Sequence, residues 1–424
     1  MRQHVFTGFG FGPIQGGLFV NEAFQSGNFR RIVVAEIDQE LIDAVRTNNG
    51  TYFVNVAKAD GIEVVKVDNI ELYNPNVDDD RNILLDALSE STDITTCLPS
   101  VSFYTLGDNH VAALIGQGLQ KSKAPAIIIY AAENNNHAAE ILEDAVGKEM
   151  RTVPGGNVQF LNTVIGKMSR AVTNPVEIER MKLTPIAPGM DKAFLVEDFN
   201  RILVTQCMIK NFRPGIEVFI EKGDLLPFEE AKLYGHNAIH TLLAYLGKVK
   251  GYEKMTQLKQ DKKIMKIAHD AFLQESGAAL IKRYANLDDE LFTKKGYKNY
   301  AEDLLERMTN PFLADTIERA GRDLLRKLAY NDRIFGTMAL ALEHGIEPHN
   351  MALGAMAGIA VLIEKAEENN LPLNLRFGSW HKLDDAKVEK ILNWVWSNKT
   401  GKYANQLIKY VQLARRRLEV SLKA

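Results

Sequence analysis

Short runs rich in β-branched and aromatic residues alternate with helical patterns along the first half of the chain: Val5–Phe9, Arg31–Ile37, Gly61–Leu72, Ile94–Cys97, Ala126–Tyr130 and Val158–Ile165. Ile127-Ile128-Ile129 is apolar at every position rather than every second one, as strands are when helices cover both faces of a parallel sheet. Past about residue 218 the strand pattern gives out. Phe228–Gly247, Lys262–Tyr284, Tyr300–Arg307, Ala314–Tyr330 and Asp385–Trp396 then carry apolar positions at helical spacing. The predicted fold class is α/β plus all-α, an N-terminal Rossmann-like doubly wound sheet followed by a mostly helical C-terminal domain. The loop around Pro185 and Pro188 puts the boundary between residues 1–196 and 197–424, with Phe194–Val204 keeping strand character across it.

Composition adds exclusions. With 424 residues, 46% of them hydrophobic and 25% charged, the chain has material for two cores. A net charge of −3 provides no general field for a polyanion, so no nucleic-acid partner is expected. Cys97 and Cys207 are the two cysteines and lack CxxC spacing, which suits a reducing, cytoplasmic setting better than a disulfide framework or a thiolate zinc site. The most apolar run, Met351–Ile363, is shorter than the roughly 20 residues a bilayer crossing needs, and Met1–Gly10 lacks a basic segment leading into a long apolar stretch. No membrane partner is expected.

The first strand runs directly into Gly10-Phe11-Gly12-Pro13-Ile14-Gln15-Gly16-Gly17, and a helical pattern follows. Strand, glycines and helix, in that order, make a dinucleotide phosphate cradle: glycines admit the pyrophosphate and the helix start directs N–H groups at it. Gly10, Gly12, Pro13, Ile14 and Gln15 are the candidate contacts. Gln15 stands where a third glycine falls if Gly10 is the first, so Gly8, Gly10 and Gly12 leave the register open. The second strand ends at Glu36 and Asp38, 24 and 26 residues past Gly12. A carboxylate there accepts from a ribose 2′-OH and repels a 2′-phosphate, which predicts NAD, with Glu36 the favoured residue.

Lys232, Asn237 and His240 are separated by five and three positions. On an α-helix they fall at roughly 0°, 140° and 80°, one broad face. Alcohol oxidation by hydride transfer needs a base, donors for an oxyanion and a group that orients the oxygen, and these three residue types can supply them. Spacing alone favours a solvated Lys232 and His236, with Asn237 and His240 satisfying each other or the backbone inside a helix junction. His236 and His240 share a metal-pair spacing, but without an HExxH glutamate no metal is predicted.

Lys232-x4-Asn237-x2-His240 followed by Ala244-Tyr245-Leu246-Gly247 resembles the signature of the polyol-specific long-chain dehydrogenases, the mannitol dehydrogenase family. Glu275-Ser276-Gly277, Asn310-Pro311-Phe312-Leu313 and the segment from Glu318 to Arg333 extend the likeness, which is dense from Lys232 to Arg333 and looser before it. The resemblance implies a metal-independent NAD enzyme in which Lys232 is the general base, Asn237 and Asn134 hold the oxyanion, and His240 orients the reacting oxygen. It implies interconversion of D-mannitol 1-phosphate and D-fructose 6-phosphate, with a free polyol or a hexuronate as the alternative substrate and a non-catalytic dinucleotide-binding regulator as a third reading. The expected partner is a small sugar alcohol or sugar phosphate, and the expected state a monomer or weak homo-oligomer. Gly166-Lys167 departs from the Asp-Arg pair usual in the family.

Arg319, Arg322 and Arg326 lie at i, i+3 and i+7 of the predicted helix Ala314–Tyr330, with Lys327 alongside. One face would then present a cationic stripe suited to a sugar phosphate. The resemblance assigns Arg319 and Lys327 to the polyol chain and Arg322 to the phosphate.

Overall fold

Residues 4–151, 155–397 and 400–422 are described by the computed structural model. The chain divides into two compact units, Met1–Leu226 and Pro227–Ala424.

The first unit carries twelve strands: β1 (His4–Phe9), β2 (Phe29–Ala35), β3 (Tyr52–Ala57), β4 (Ile62–Val67), β5 (Ile70–Tyr73), β6 (Asp93–Thr96), β7 (Ile127–Ala131), β8 (Val158–Ile165), β9 (Ser169–Val172), β10 (Ala193–Glu197), β11 (Ile202–Thr205) and β12 (Phe219–Lys222). Eight of them form one sheet in the order β12-β11-β8-β7-β6-β1-β2-β5, and β4-β3-β10-β9 form a second. Every neighbouring pair from β5 to β8 in the large sheet is parallel, while β11 runs antiparallel to β8. Strand order reverses between β1 and β6, the place where doubly wound sheets open a crevice at their carboxyl ends. Apolar residues on successive positions serve opposite faces. Ile128 and Tyr130 join a core with Leu18, Tyr52 and Phe194, and Ile127 and Ile129 join another with Leu84, Ile115 and Leu142.

Two expectations are corrected here. Gly61–Leu72 is not one strand: Asn69 takes a left-handed conformation (φ 60°) and splits it into β4 and β5, which belong to different sheets. The boundary expected after residue 196 lies 30 residues later, because β11 and β12 extend the first sheet past it.

The second unit has no named strand among the described residues. Its centre is the pair of helices Ala238–Val249 and His349–Glu364, the second buried at every position from Met351 to Ile363. The apolar run is thus an interior helix, and no described helix is long and apolar enough to cross a membrane. Glu275, 3% exposed, accepts from the backbone N–H groups of Asn350 (2.7 Å) and Met351 (2.8 Å), so a carboxylate caps the first turn of that helix.

Candidate functional site

The glycine loop at the end of β1 divides its tasks among its residues. Gly10 adopts φ +79°, and a Cβ there would meet the Cys97 carbonyl oxygen at 2.9 Å. A Cβ on Gly12 would meet nothing within 4 Å, so Gly12 borders open space of the kind a phosphate can enter. The chain is helical from residue 13 through 26, with a π-helical stretch Gln15–Val20 at its start. Pro13 and Ile14 thereby form its first turn. Gln15 is corrected as a side-chain cofactor contact: it turns inward, fully buried, and its Nε2 donates to Thr95 Oγ1 at 2.7 Å.

Glu36 follows β2 and turns back toward the loop. One oxygen accepts from Phe11 N–H (2.6 Å), the other from Ile37 (2.7 Å) and Asp38 (3.0 Å). A carboxylate has about four lone-pair sites, so the half-buried Glu36 can brace the loop and still accept from a ribose hydroxyl. Asp38 also has a structural role. It caps the helix Gln39–Thr47 through Leu41 N–H (3.3 Å) and lies 3.4 Å from Lys192 Nζ. Asn134 is exposed just beyond the end of β7, at the carboxyl edge of the large sheet. Lys167 buries its chain and donates to Asn200 Oδ1 at 2.6 Å, which gives the departure at Gly166-Lys167 a polar tether within the first unit.

In the second unit, Lys232 and Asn237 lie in a π-helical turn, Ala231–Asn237, that continues into the helix Ala238–Val249. Hydrogen bonds in such a turn run from i to i+5, so residues five apart fall on the same side of the helix, closer than the α-helical wheel predicts. Helix Arg333–Glu343 braces this turn: Thr337 Oγ1 donates to the Tyr234 carbonyl at 3.1 Å. Lys232 keeps some solvent contact, yet protein surrounds its ammonium. Desolvation lowers its pKa to about 8, against the opposing pull of Glu229 and with a further push from Arg333. The buried His236 is held well below its ordinary range, first by burial and then by His240 and nearby cations, Lys232 among them.

Nε2 of His240 lies 3.0 Å from Asp315 Oδ2. Asp315 is 4% exposed and also accepts a two-pronged bond from Arg319, Nε at 2.6 Å and Nη2 at 2.7 Å. Burial alone raises its carboxyl pKa, but the bonds and charges of His240 and Arg319 outweigh this and hold it well below the usual range. An ionised carboxylate only accepts, so Nε2 of His240 donates to it, which fixes the ring. Asp315, the third member of this chain of contacts, was missed in the sequence pattern; its position four residues before Arg319 was the available cue.

The cationic stripe is corrected. Helix Ile317–Gly321 ends, Arg322 is extended (ψ 169°), Asp323 is left-handed (φ 60°), and a separate helix Leu324–Lys327 follows. The three arginines therefore do not share one helical face. Arg319 commits two nitrogens to Asp315. Lys327 buries its ammonium on the Ala320 carbonyl (2.8 Å), where desolvation, reinforced by Arg333 and Arg326, lowers its pKa to about 7. Arg322 and Arg326 stay exposed, at 3.9 and 3.3 Å from Asp323. Arg322 borders a cavity of about 190 Å³ that Lys248 and Lys365 also line, together with Glu318, Asp323 and Glu368. Among the described residues no three His, Cys, Asp or Glu side chains converge as a metal site.

Residues 224–399 match the sequence model of the mannitol dehydrogenase C-terminal domain, which begins within three residues of the second unit. The chain is 28% identical over 355 residues to mannitol-1-phosphate 5-dehydrogenase of Buchnera aphidicola subsp. Acyrthosiphon pisum (strain APS), covering 82% of this chain and 84% of that protein. The protein of the same name from strain Tuc7 is also 28% identical, with the same coverage. A substrate-free D-sorbitol dehydrogenase superposes with a TM-score of 0.77 at 14% identity, covering 98% of this chain and 94% of the other. The Pseudomonas fluorescens mannitol 2-dehydrogenase ternary complex with NAD and D-mannitol gives 0.67 at 17% identity, covering 99% and 94%. These structures share the fold. The second unit thus matches the mannitol dehydrogenase C-terminal domain, and the chain is similar along most of its length to proteins named mannitol-1-phosphate 5-dehydrogenase.

Proposed function

We propose that this protein is an NAD-dependent polyol dehydrogenase that interconverts D-mannitol 1-phosphate and D-fructose 6-phosphate with Lys232 as the general base. The observation that carries the reading is the desolvated Lys232, its pKa lowered to about 8, on the same π-helical turn as Asn237 and about two turns before a His240 held by Asp315. The substrate class and its phosphate rest on the relatives named mannitol-1-phosphate 5-dehydrogenase.

The residues at the end of β1 fit a dinucleotide: Gly12 leaves space where a side chain would stand, and Glu36 keeps an acceptor site for the ribose. Bound there, the nicotinamide supplies the two-electron acceptor or donor. Lys232, neutral, takes the hydroxyl proton of the alcohol in oxidation and, protonated, returns it in reduction. Asn237 donates to the oxygen as negative charge builds on it, and the resemblance to the polyol-specific dehydrogenases implies the same role for Asn134. His240, its ring fixed by Asp315 at Nε2, orients that oxygen.

Two experiments test the finer points. Glu36→Ala is expected to weaken NADH binding, measured by fluorescence titration, and to narrow its preference over NADPH, because the carboxylate that repels a 2′-phosphate is gone. An unchanged cofactor ratio contradicts the assignment. For the phosphate, Arg322→Ala is expected to lower kcat/KM for fructose 6-phosphate by roughly 10-fold, the lower end for a charge-assisted bond because the side chain is exposed, and to spare free fructose. A second reading, a free polyol or hexuronate substrate, is favoured by the dispersal of the arginines and by the acids that face each cation in the cavity. Equal loss on both substrates, or none, selects it.

A further inference from the structure

Glu133 stands two residues past β7 and is 4% exposed. Its Oε2 accepts from Thr96 Oγ1 at 2.9 Å and from the hydroxyl of the buried Tyr104, and its Oε1 accepts from the Leu98 backbone N–H at 2.9 Å. Three donors surround it, which suits the ionised form; desolvation raises its pKa and those three bonds oppose the rise. The sheet itself does not need this group, since β6 and β7 are already paired from Asp93 and Ile128 to Thr96 and Ala131. What the carboxylate adds lies past the strand ends. It ties the segment leaving β7 to the Cys97–Leu98 turn leaving β6, and the Cys97 carbonyl oxygen in turn abuts Gly10. Asn134 is the next residue in the chain and is exposed at that same edge.

We propose that Glu133 is a positioning residue for the reaction: it locks the root of Asn134 and the Cys97–Leu98 turn into one fixed edge beside the glycine loop, so that the Asn134 carboxamide meets the reacting oxygen at a set place. This rests on the reading of Asn134 as an oxyanion donor. A donor displaced by about 1 Å slows the chemical step by as much as about 10²-fold while leaving nucleotide binding largely intact.

The test compares full-length Glu133→Gln, Tyr104→Phe and Asn134→Ala with the wild type, in NADH affinity by fluorescence, thermal midpoint, kcat for ketose reduction, and the isotope effect on kcat with NADH deuterated at the transferred position. Glu133→Gln is expected to lower kcat by about 10–100-fold with NADH affinity nearly unchanged and an enlarged isotope effect, and Tyr104→Phe to move both in the same direction by about 3–10-fold. A merely structural role lowers the thermal midpoint without enlarging the isotope effect. Wild-type kcat and isotope effect in both variants overturn the proposal; if Glu133→Gln does not fold, Tyr104→Phe, which keeps the ring, decides alone. A full-rate Asn134→Ala removes the underlying reading of Asn134, and the proposal with it. A slow Asn134→Ala beside a full-rate Glu133→Gln removes the positioning role alone.

Discussion

Lys232→Ala is expected to lower the rate of polyol oxidation by on the order of 10²–10⁴-fold while the protein still binds NADH, because the variant keeps the fold but lacks the group that takes the hydroxyl proton. The pH dependence carries the sign. Oxidation needs neutral Lys232, so the wild-type rate rises with pH through about 8; reduction needs the protonated form and falls over the same interval. In Lys232→Ala both inflections vanish. Steady-state rates in both directions across that interval, with NADH binding as the control for folding, check the claim. A variant that turns over near the wild-type rate, or keeps the inflection, removes Lys232 from the role of base.

Asp315→Ala is expected to have the largest effect on stability. The buried carboxylate is the shared acceptor for His240 and Arg319, and its loss strands both. Removing one member of a buried ion pair costs about 3–5 kcal/mol, and the lower end applies because about a third of the Arg319 side chain remains in water. Since folding lowers the Asp315 pKa, its contribution is present above the ordinary carboxylate pKa and is lost as pH falls through the lower folded value. The variant should therefore show a lower urea midpoint at neutral pH and a smaller further loss on acidification than the wild type. It should also lose about 10²-fold in kcat, because an untethered His240 no longer orients the oxygen. A midpoint and kcat both at the wild-type level contradict the role of Asp315.

Features governed by local pattern were legible in the sequence. The run Ile127-Ile128-Ile129 announced a strand covered on both faces, and the step from Phe9 through Gly12 to a helix announced the nucleotide loop. Features set by single residues in unusual conformations were not. Asn69 divides two strands, and Arg322 and Asp323 interrupt a helix that periodicity alone runs through. The π-turn at Ala231–Asn237 was equally hidden, since apolar spacing does not distinguish one extra residue in a turn. His240 and Asp315 are 75 residues apart, and the acid reads locally as the i,i+4 partner of Arg319. Gln15 illustrates the reverse error, a residue type suited to a ligand that the fold spends on a buried strut.

The expected reaction is the reduction of a ketose or ketose phosphate with NADH. Its most direct test is the loss of NADH absorbance when purified protein, dialysed against a chelator, is given fructose 6-phosphate, fructose, fructuronate or tagaturonate in parallel. Rapid NADH consumption is expected with fructose 6-phosphate, slower or no consumption with the others, and no dependence on added metal. Absence of turnover with all four contradicts it.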